Sequence, residues 1–251
     1  MMWRMAIRRA VLLIADIGGY TRFMTVHRIN LAHAQDVVAQ LLEAIIDAAR
    51  GFELAKLEGD AAFLYAPIAG DAADAGPLGA QIAEIRQAFL DRQRELTIDR
   101  LCSCDGCIKV TDLKLKFVAH AGEVAEQRVK RNRELAGVSV ITVHRMLKNS
   151  VPISEYALVT DPLLAALGPE LRPLAQTQPE HLEGIGEVQT HYVDLADVRA
   201  AAVARPPSLW RKLRAWLGMT LRSLPYFVGL KKPCEGFHNL GPALEGHDHP
   251  H

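Results

Sequence analysis

An apolar run that stops on a carboxylate constrains this chain most. Val11-Leu12-Leu13-Ile14-Ala15 closes on Asp16, and Ile17-Gly18-Gly19-Tyr20-Thr21 follows at once. An unbroken apolar run of this length reads as a buried strand. A charge at the end of such a strand is costly unless something binds it. A second carboxylate, Asp60, stands in Lys56-Leu57-Glu58-Gly59-Asp60-Ala61-Ala62-Phe63, between two short apolar stretches. Two carboxylates on neighbouring strands suit a divalent metal, and a Gly18-Gly19 turn offers backbone N–H groups to phosphate. Together they predict a metal–nucleotide site. Taken singly, each has a plainer explanation: Asp16 as the cap of a helix opening at Thr21, and Asp60 as a hairpin residue.

The rest of the chain supplies layers to cover such a strand. Ala32, Val37, Val38, Leu41, Leu42, Ile45 and Ile46 recur at helical spacing after a cap at Asn30, and Gly51 ends that helix. Residues 52–57 and 61–65 read as a hairpin about Gly59-Asp60. Residues 67–77 read as loop, 78–96 as an amphipathic helix, 113–119 as an alternating strand and 126–134 as an exposed charged stretch. A helix over 137–147 and short strands at 156–160 and 190–194 complete the order. The pattern predicts an α+β fold of ferredoxin-like (split β-α-β) type, with helices packed on a mostly antiparallel sheet. This domain is expected over residues 1–200. Composition changes after Arg205-Pro206-Pro207. Residues 201–251 read as a basic amphipathic helix and a loose tail. In 208–224, Leu209, Leu213, Leu217, Leu221 and Leu224 form a stripe beside Trp210 and Trp216, with Arg211, Lys212, Arg214 and Arg222 interleaved. Such a helix can pack back on the domain, mediate oligomerisation, or make peripheral contact with an anionic membrane.

The formal net charge of the 251 residues is zero, which argues against a nucleic-acid partner. No apolar run is long enough to span a bilayer. Arg4, Arg8 and Arg9 precede only a short apolar stretch, unlike a secretory leader, so a cytoplasmic location is expected. Cys102, Cys104 and Cys107 cluster in an insertion at 101–108. Three thiols this close, around an Asp105-Gly106 turn, can converge on zinc, with a fourth ligand from elsewhere. The alternative is a set of reduced thiols or a redox-sensing loop.

Five segments, in order, resemble class III nucleotidyl cyclases. The stretch from Leu12 to Thr21 and Lys56-Leu57-Glu58-Gly59-Asp60 resemble the two metal-binding segments of that family. Phe117-Val118-Ala119-His120-Ala121-Gly122-Glu123-Val124 is similar to its Gly-Ile-His-x-Gly-x-Val strand. Gly137-Val138-Ser139-Val140-Ile141-Thr142-Val143-His144-Arg145-Met146 is similar to its Gly-x-x-Val-Asn-x-Ala-x-Arg-Leu helix. His181-Leu182-Glu183-Gly184-Ile185-Gly186-Glu187-Val188 is similar to its late Leu-Lys-Gly turn. The resemblance covers roughly residues 9–196.

The resemblance implies a head-to-tail homodimer with shared sites for ATP or GTP. Asp16, the backbone of Ile17, and Asp60 would hold magnesium or manganese. Gly18, Gly19, Tyr20 and Thr21 would line the phosphates. Lys56 and Glu134 would contact the base, and Arg145 would stabilise charge developing on the phosphates. Two positions depart from the pattern: Ile141 replaces the Asn that orients the ribose, and Glu183 replaces a phosphate-binding Lys. The expectation is therefore a divergent cyclase-like protein. It would bind a nucleoside triphosphate with divalent metal in a signalling or regulatory role, with catalysis weakened or lost. The alternative is an active adenylate or guanylate cyclase. Solvated-lysine, helix-dipole and core-histidine explanations stand beside these roles for Lys56, Arg145 and His120.

Overall fold

The computed structural model describes residues 6–26, 31–98, 109–130, 132–196, 198, 213, 217 and 224. Cys102, Cys104 and Cys107 lie outside the described residues, and so does the 208–224 segment apart from Leu213, Leu217 and Leu224. The expected zinc site and amphipathic helix fall there. Among the described residues no helix is long and apolar enough to cross a membrane.

The buried run becomes the centre of the sheet. β1 (Ala6–Gly18) lies between β3 (Ala61–Ile68) and β4 (Lys114–Val129), antiparallel to both. β2 (Glu53–Glu58) forms one edge, against β3. Beyond β4 come β6 (Tyr156–Thr160), β8 (Gly186–Asp194) and, at the other edge, β7 (Gln176–Leu182). β5 (Asn132–Ala136) folds back on the outer part of β4. Among the described residues the sheet has eight strands, and β4–β6 is its one parallel pair. The mixed α+β fold with a mostly antiparallel sheet is the one expected.

Side-chain parity then assigns the two faces, because neighbouring residues of a strand point opposite ways. Val11, Leu13, Ala15 and Ile17 join the core beneath α2 (Leu31–Ala48) and α3 (Leu78–Ile98). Ala10, Leu12 and Ile14 join the second core with Val143 and Met146, beneath α4 (Val138–Arg145). β1 is apolar throughout its middle because both faces are covered. Asp16 continues the even-numbered set and so belongs to the α4 side. The short helix α1 (Tyr20–Val26) follows β1 after the Gly19 turn.

Three local readings change. β1 extends for 13 residues, past the short apolar run at both ends. The charged 126–134 stretch is not an isolated exposed segment: it is the far end of β4 and most of β5, a hairpin in which Gln127 pairs with Glu134. β7 escapes sequence reasoning because Pro179 and the polar residues around it do not look like a strand, yet an edge strand tolerates a proline.

Candidate functional site

Asp16 and Asp60 meet where β1 ends. Asp16 pairs with Ala61 across the β1–β3 ladder, so the Gly59-Asp60 turn sits beside it. Gly59 has φ +68°, the left-handed conformation that this tight turn requires. The Ile17 N–H donates to the Asp60 carbonyl at 3.1 Å and fixes the turn to the strand. Burial pushes the Asp60 carboxyl above its ordinary range, and the negative charge of Asp16 pushes it the same way. A backbone hydrogen bond and Lys116 act in the opposite sense.

Lys116, which the sequence reading passed over, completes this cluster. It lies directly opposite Asp16 in the β1–β4 register, and its Nζ donates to Asp16 Oδ2 at 2.8 Å. Burial works against the ammonium, but the hydrogen bond to Asp16 and that residue's charge outweigh it and hold the Lys116 pKa above the usual lysine value. The sequence showed Lys116 only as a polar position in an alternating strand.

The two glycines of the turn do different local work. Gly18 is still within β1, opposite Lys114, and a Cβ there would come within 3.2 Å of Lys116 Cε. Its missing side chain therefore leaves room for the lysine stem. Gly19 makes the turn itself, with φ +87°, and its carbonyl accepts from the Phe23 N–H at 2.9 Å. Tyr20 packs against the core beneath α2 and α3, while Thr21 is exposed.

The remaining expected residues gather on α4 and the elements around it. Lys56 Nζ lies 3.9 Å from Glu58 Oε1, two residues along β2 and on the same face. Glu58 also meets His144 Nε2 at 3.0 Å, while His144 Nδ1 is 2.8 Å from the Val140 carbonyl. The His144 ring stands edge-on to Phe63 with centroids 4.9 Å apart. Sequence reasoning missed this β2–α4 link, since residues 86 apart carry no local signal. Arg145 ends α4 and forms an ion pair with Glu183, in the turn between β7 and β8. Glu134 is partly buried on β5, and Ile141 is half exposed on α4.

Carboxylate oxygens are the donors that magnesium and manganese prefer. Burial, first, and the neighbouring Asp16 charge, second, raise the Asp60 carboxyl against the opposing Lys116, so the two carboxylates stand close together in a partly buried place. The pair therefore fits a hard divalent cation. Among the described residues no group of three or more His, Cys, Asp or Glu side chains could hold a metal. Asp16 and Asp60 would need outside oxygens, from water or phosphate, to complete a coordination shell.

Comparison with known proteins gives the family and the fold. Residues 38–156 match the family model described as "Protein of unknown function (DUF2652)". A Mycobacterium tuberculosis protein, "Uncharacterized protein Rv2561/Rv2562", is 47% identical over 207 residues, covering 81% of this chain and 95% of that protein. Among solved structures, the guanylyl cyclase Cya2 aligns with a TM-score of 0.59 at 16% identity, over 81% of this chain and all of that one. The adenylyl cyclase CyaB from P. aeruginosa gives 0.58 at 12% identity, over 79% of this chain and 100% of that one. A class III adenylyl cyclase-like ATP-binding protein from Pseudomonas aeruginosa gives 0.54 at 17% identity, over 67% of this chain and 36% of that one. At these identities the likeness is one of fold, and the fold is that of class III cyclases.

Proposed function

The chain belongs to the family of the Mycobacterium tuberculosis protein Rv2561/Rv2562, and from that premise we propose that it is a cyclase-fold protein that binds a nucleoside triphosphate with a divalent cation in a signalling role, with cyclisation weakened or lost. The observation that carries this reading is the Arg145–Glu183 ion pair. The arginine that a cyclase would turn toward developing phosphate charge is here engaged by a carboxylate of its own chain. That carboxylate stands where the resemblance expects a lysine, so two positive charges are replaced by a neutral pair. Loss of charge-stabilising groups of this kind commonly costs orders of magnitude in rate.

Binding survives in this reading because Asp16 and Asp60 are adjacent. They would hold magnesium or manganese, with the triphosphate of ATP or GTP supplying further oxygens. Such an ion, when bound, neutralises phosphate charge and acidifies a ribose hydroxyl. Gly19 turns the chain so that α1 starts beside the aspartates. Lys56, exposed on β2, and Glu134 would serve the base, in a site completed by a second copy. The half-exposed Leu54, Leu57 and Ile141 and the more exposed Val138 support the homodimer part of this reading.

The adjacency of Asp16 and Asp60 also supports a second reading, an active adenylate or guanylate cyclase. The two separate cleanly. Purified protein is incubated with ATP or GTP and manganese, and 3′,5′-cyclic product is assayed for the wild type and Asp60→Ala. The proposal expects Asp60-dependent nucleotide binding by calorimetry with little or no product. Abundant product that vanishes in Asp60→Ala would establish the cyclase instead, and absence of Asp60-dependent binding would reject both.

A further inference from the structure

We propose that Lys116 is a built-in cation at the aspartate pair, so that a divalent ion binds Asp16 and Asp60 only in competition with it. The inference rests on the reading of that pair as a divalent-cation site, and it names the residue that sets the affinity of that site.

Three observations carry it. The β1–β4 register places Lys116 directly across from Asp16, so the contact is built into the strand pairing. Lys116 Nζ is 2.8 Å from Asp16 Oδ2, and both side chains are largely covered, at 25% and 17% exposure. The stem of Lys116 passes over Gly18, where a Cβ would lie 3.2 Å from Lys116 Cε and 3.8 Å from Cδ. Strand register, partial burial and a cleared path therefore agree on one position for the ammonium.

The chemistry follows from charge and from donor type. Two carboxylates and one ammonium leave a single net negative charge. An ammonium has three N–H donors and no lone pair, so it cannot join a metal's coordination shell. It holds an Asp16 oxygen that a metal would use, and it repels the incoming ion. A divalent cation must displace the ammonium from Asp16 or share the residue with it. Lys116 thus lowers the resting affinity for metal, and the site favours one divalent ion over two.

The test is titration of the full chain with Mn²⁺ alone, without nucleotide, followed by calorimetry. Lys116→Met keeps the length of the stem over Gly18 and removes the charge; Lys116→Gln is a second neutral variant with different packing; Lys116→Arg keeps the charge. The neutral variants are expected to bind Mn²⁺ about tenfold more tightly than the wild type, since one adjacent charge is worth at least that much. Lys116→Arg should stay near wild type, and Asp60→Asn should abolish the tight binding. Unchanged or weaker binding in folded Lys116→Met and Lys116→Gln overturns the inference and leaves the cation site standing. If neither the wild type nor the neutral variants bind Mn²⁺ through Asp60, the inference and the cation reading fall together.

Discussion

Arg145, the last residue of α4, is paired with Glu183 in the turn that joins β7 to β8. The contact closes over 38 positions of sequence between two residues that the cyclase resemblance assigns to phosphate recognition. Each satisfies the other within one chain. Glu183 is 80% exposed and Arg145 38% exposed, so the pair is a surface contact and a phosphate can compete for the arginine.

Releasing Arg145 should therefore strengthen triphosphate binding. Glu183→Gln is expected to tighten binding of a non-hydrolysable triphosphate with manganese by about two- to fivefold, the range that an exposed ion pair commands. Glu183→Lys, which also adds a positive charge, should exceed it. Arg145→Ala should cancel the gain from Glu183→Gln. Calorimetric titration of the three variants measures this, and equal affinity in wild type and Glu183→Gln would remove the pair from any role in binding.

Two glycines separate a packing constraint from a site constraint. A Cβ on Gly79, in α3, would lie 1.9 Å from the backbone carbonyl oxygen of Leu167, a contact that only movement of one backbone segment can relieve. Gly79→Ala should destabilise the fold by about 1–3 kcal/mol or more, the usual cost of overpacking. A Cβ on Gly18 would press on the movable stem of Lys116, 3.2 Å from Cε, and would sit in ordinary contact with the Lys114 carbonyl oxygen at 3.5 Å. Gly18→Ala should keep most of the stability and displace the ammonium from Asp16. Urea unfolding of the two variants provides the comparison; equal losses would contradict it.

His120 should give the fold an acid-sensitive edge. Burial lowers its pKa from the ordinary 6.5, and its Nδ1 lies 3.1 Å from Thr160 Oγ1. Below 6.5 the unfolded chain takes up a proton that the folded chain refuses, so stability is full above that value and falls as pH drops through it toward the lowered folded-state value. Thermal melting of the wild type from about pH 7.5 down to about pH 5.5 should show this decline. His120→Asn, which can still reach Thr160, should show a flatter profile whatever its absolute stability. A wild-type slope identical to that of the variant would assign the acid sensitivity to other groups.

Much of the domain was legible in the chain because its signals are local. The Val11–Ala15 run marks the central strand, Gly59-Asp60 marks the β2–β3 turn, and helical spacing marks α2 and α3. Edge elements were harder. Pro179 disguises β7, and charge disguises the β4–β5 hairpin, because strands with a solvent-facing side need not be apolar.

The order of residues already requires β1 to be covered on both faces and puts Asp16 on the side of Ala10, Leu12 and Ile14. Both follow from composition and from a period of two. It also placed Asp60 in a turn. That Lys116 stands across from Asp16, that Glu58 reaches His144 and that Glu183 holds Arg145 emerges only once the chain is folded. Periodicity fixes which face a side chain occupies, but not the register against a strand 100 residues away; packing of the whole sheet sets that register. The charges that tune the candidate site are all products of that register and of the long-range contacts built on it.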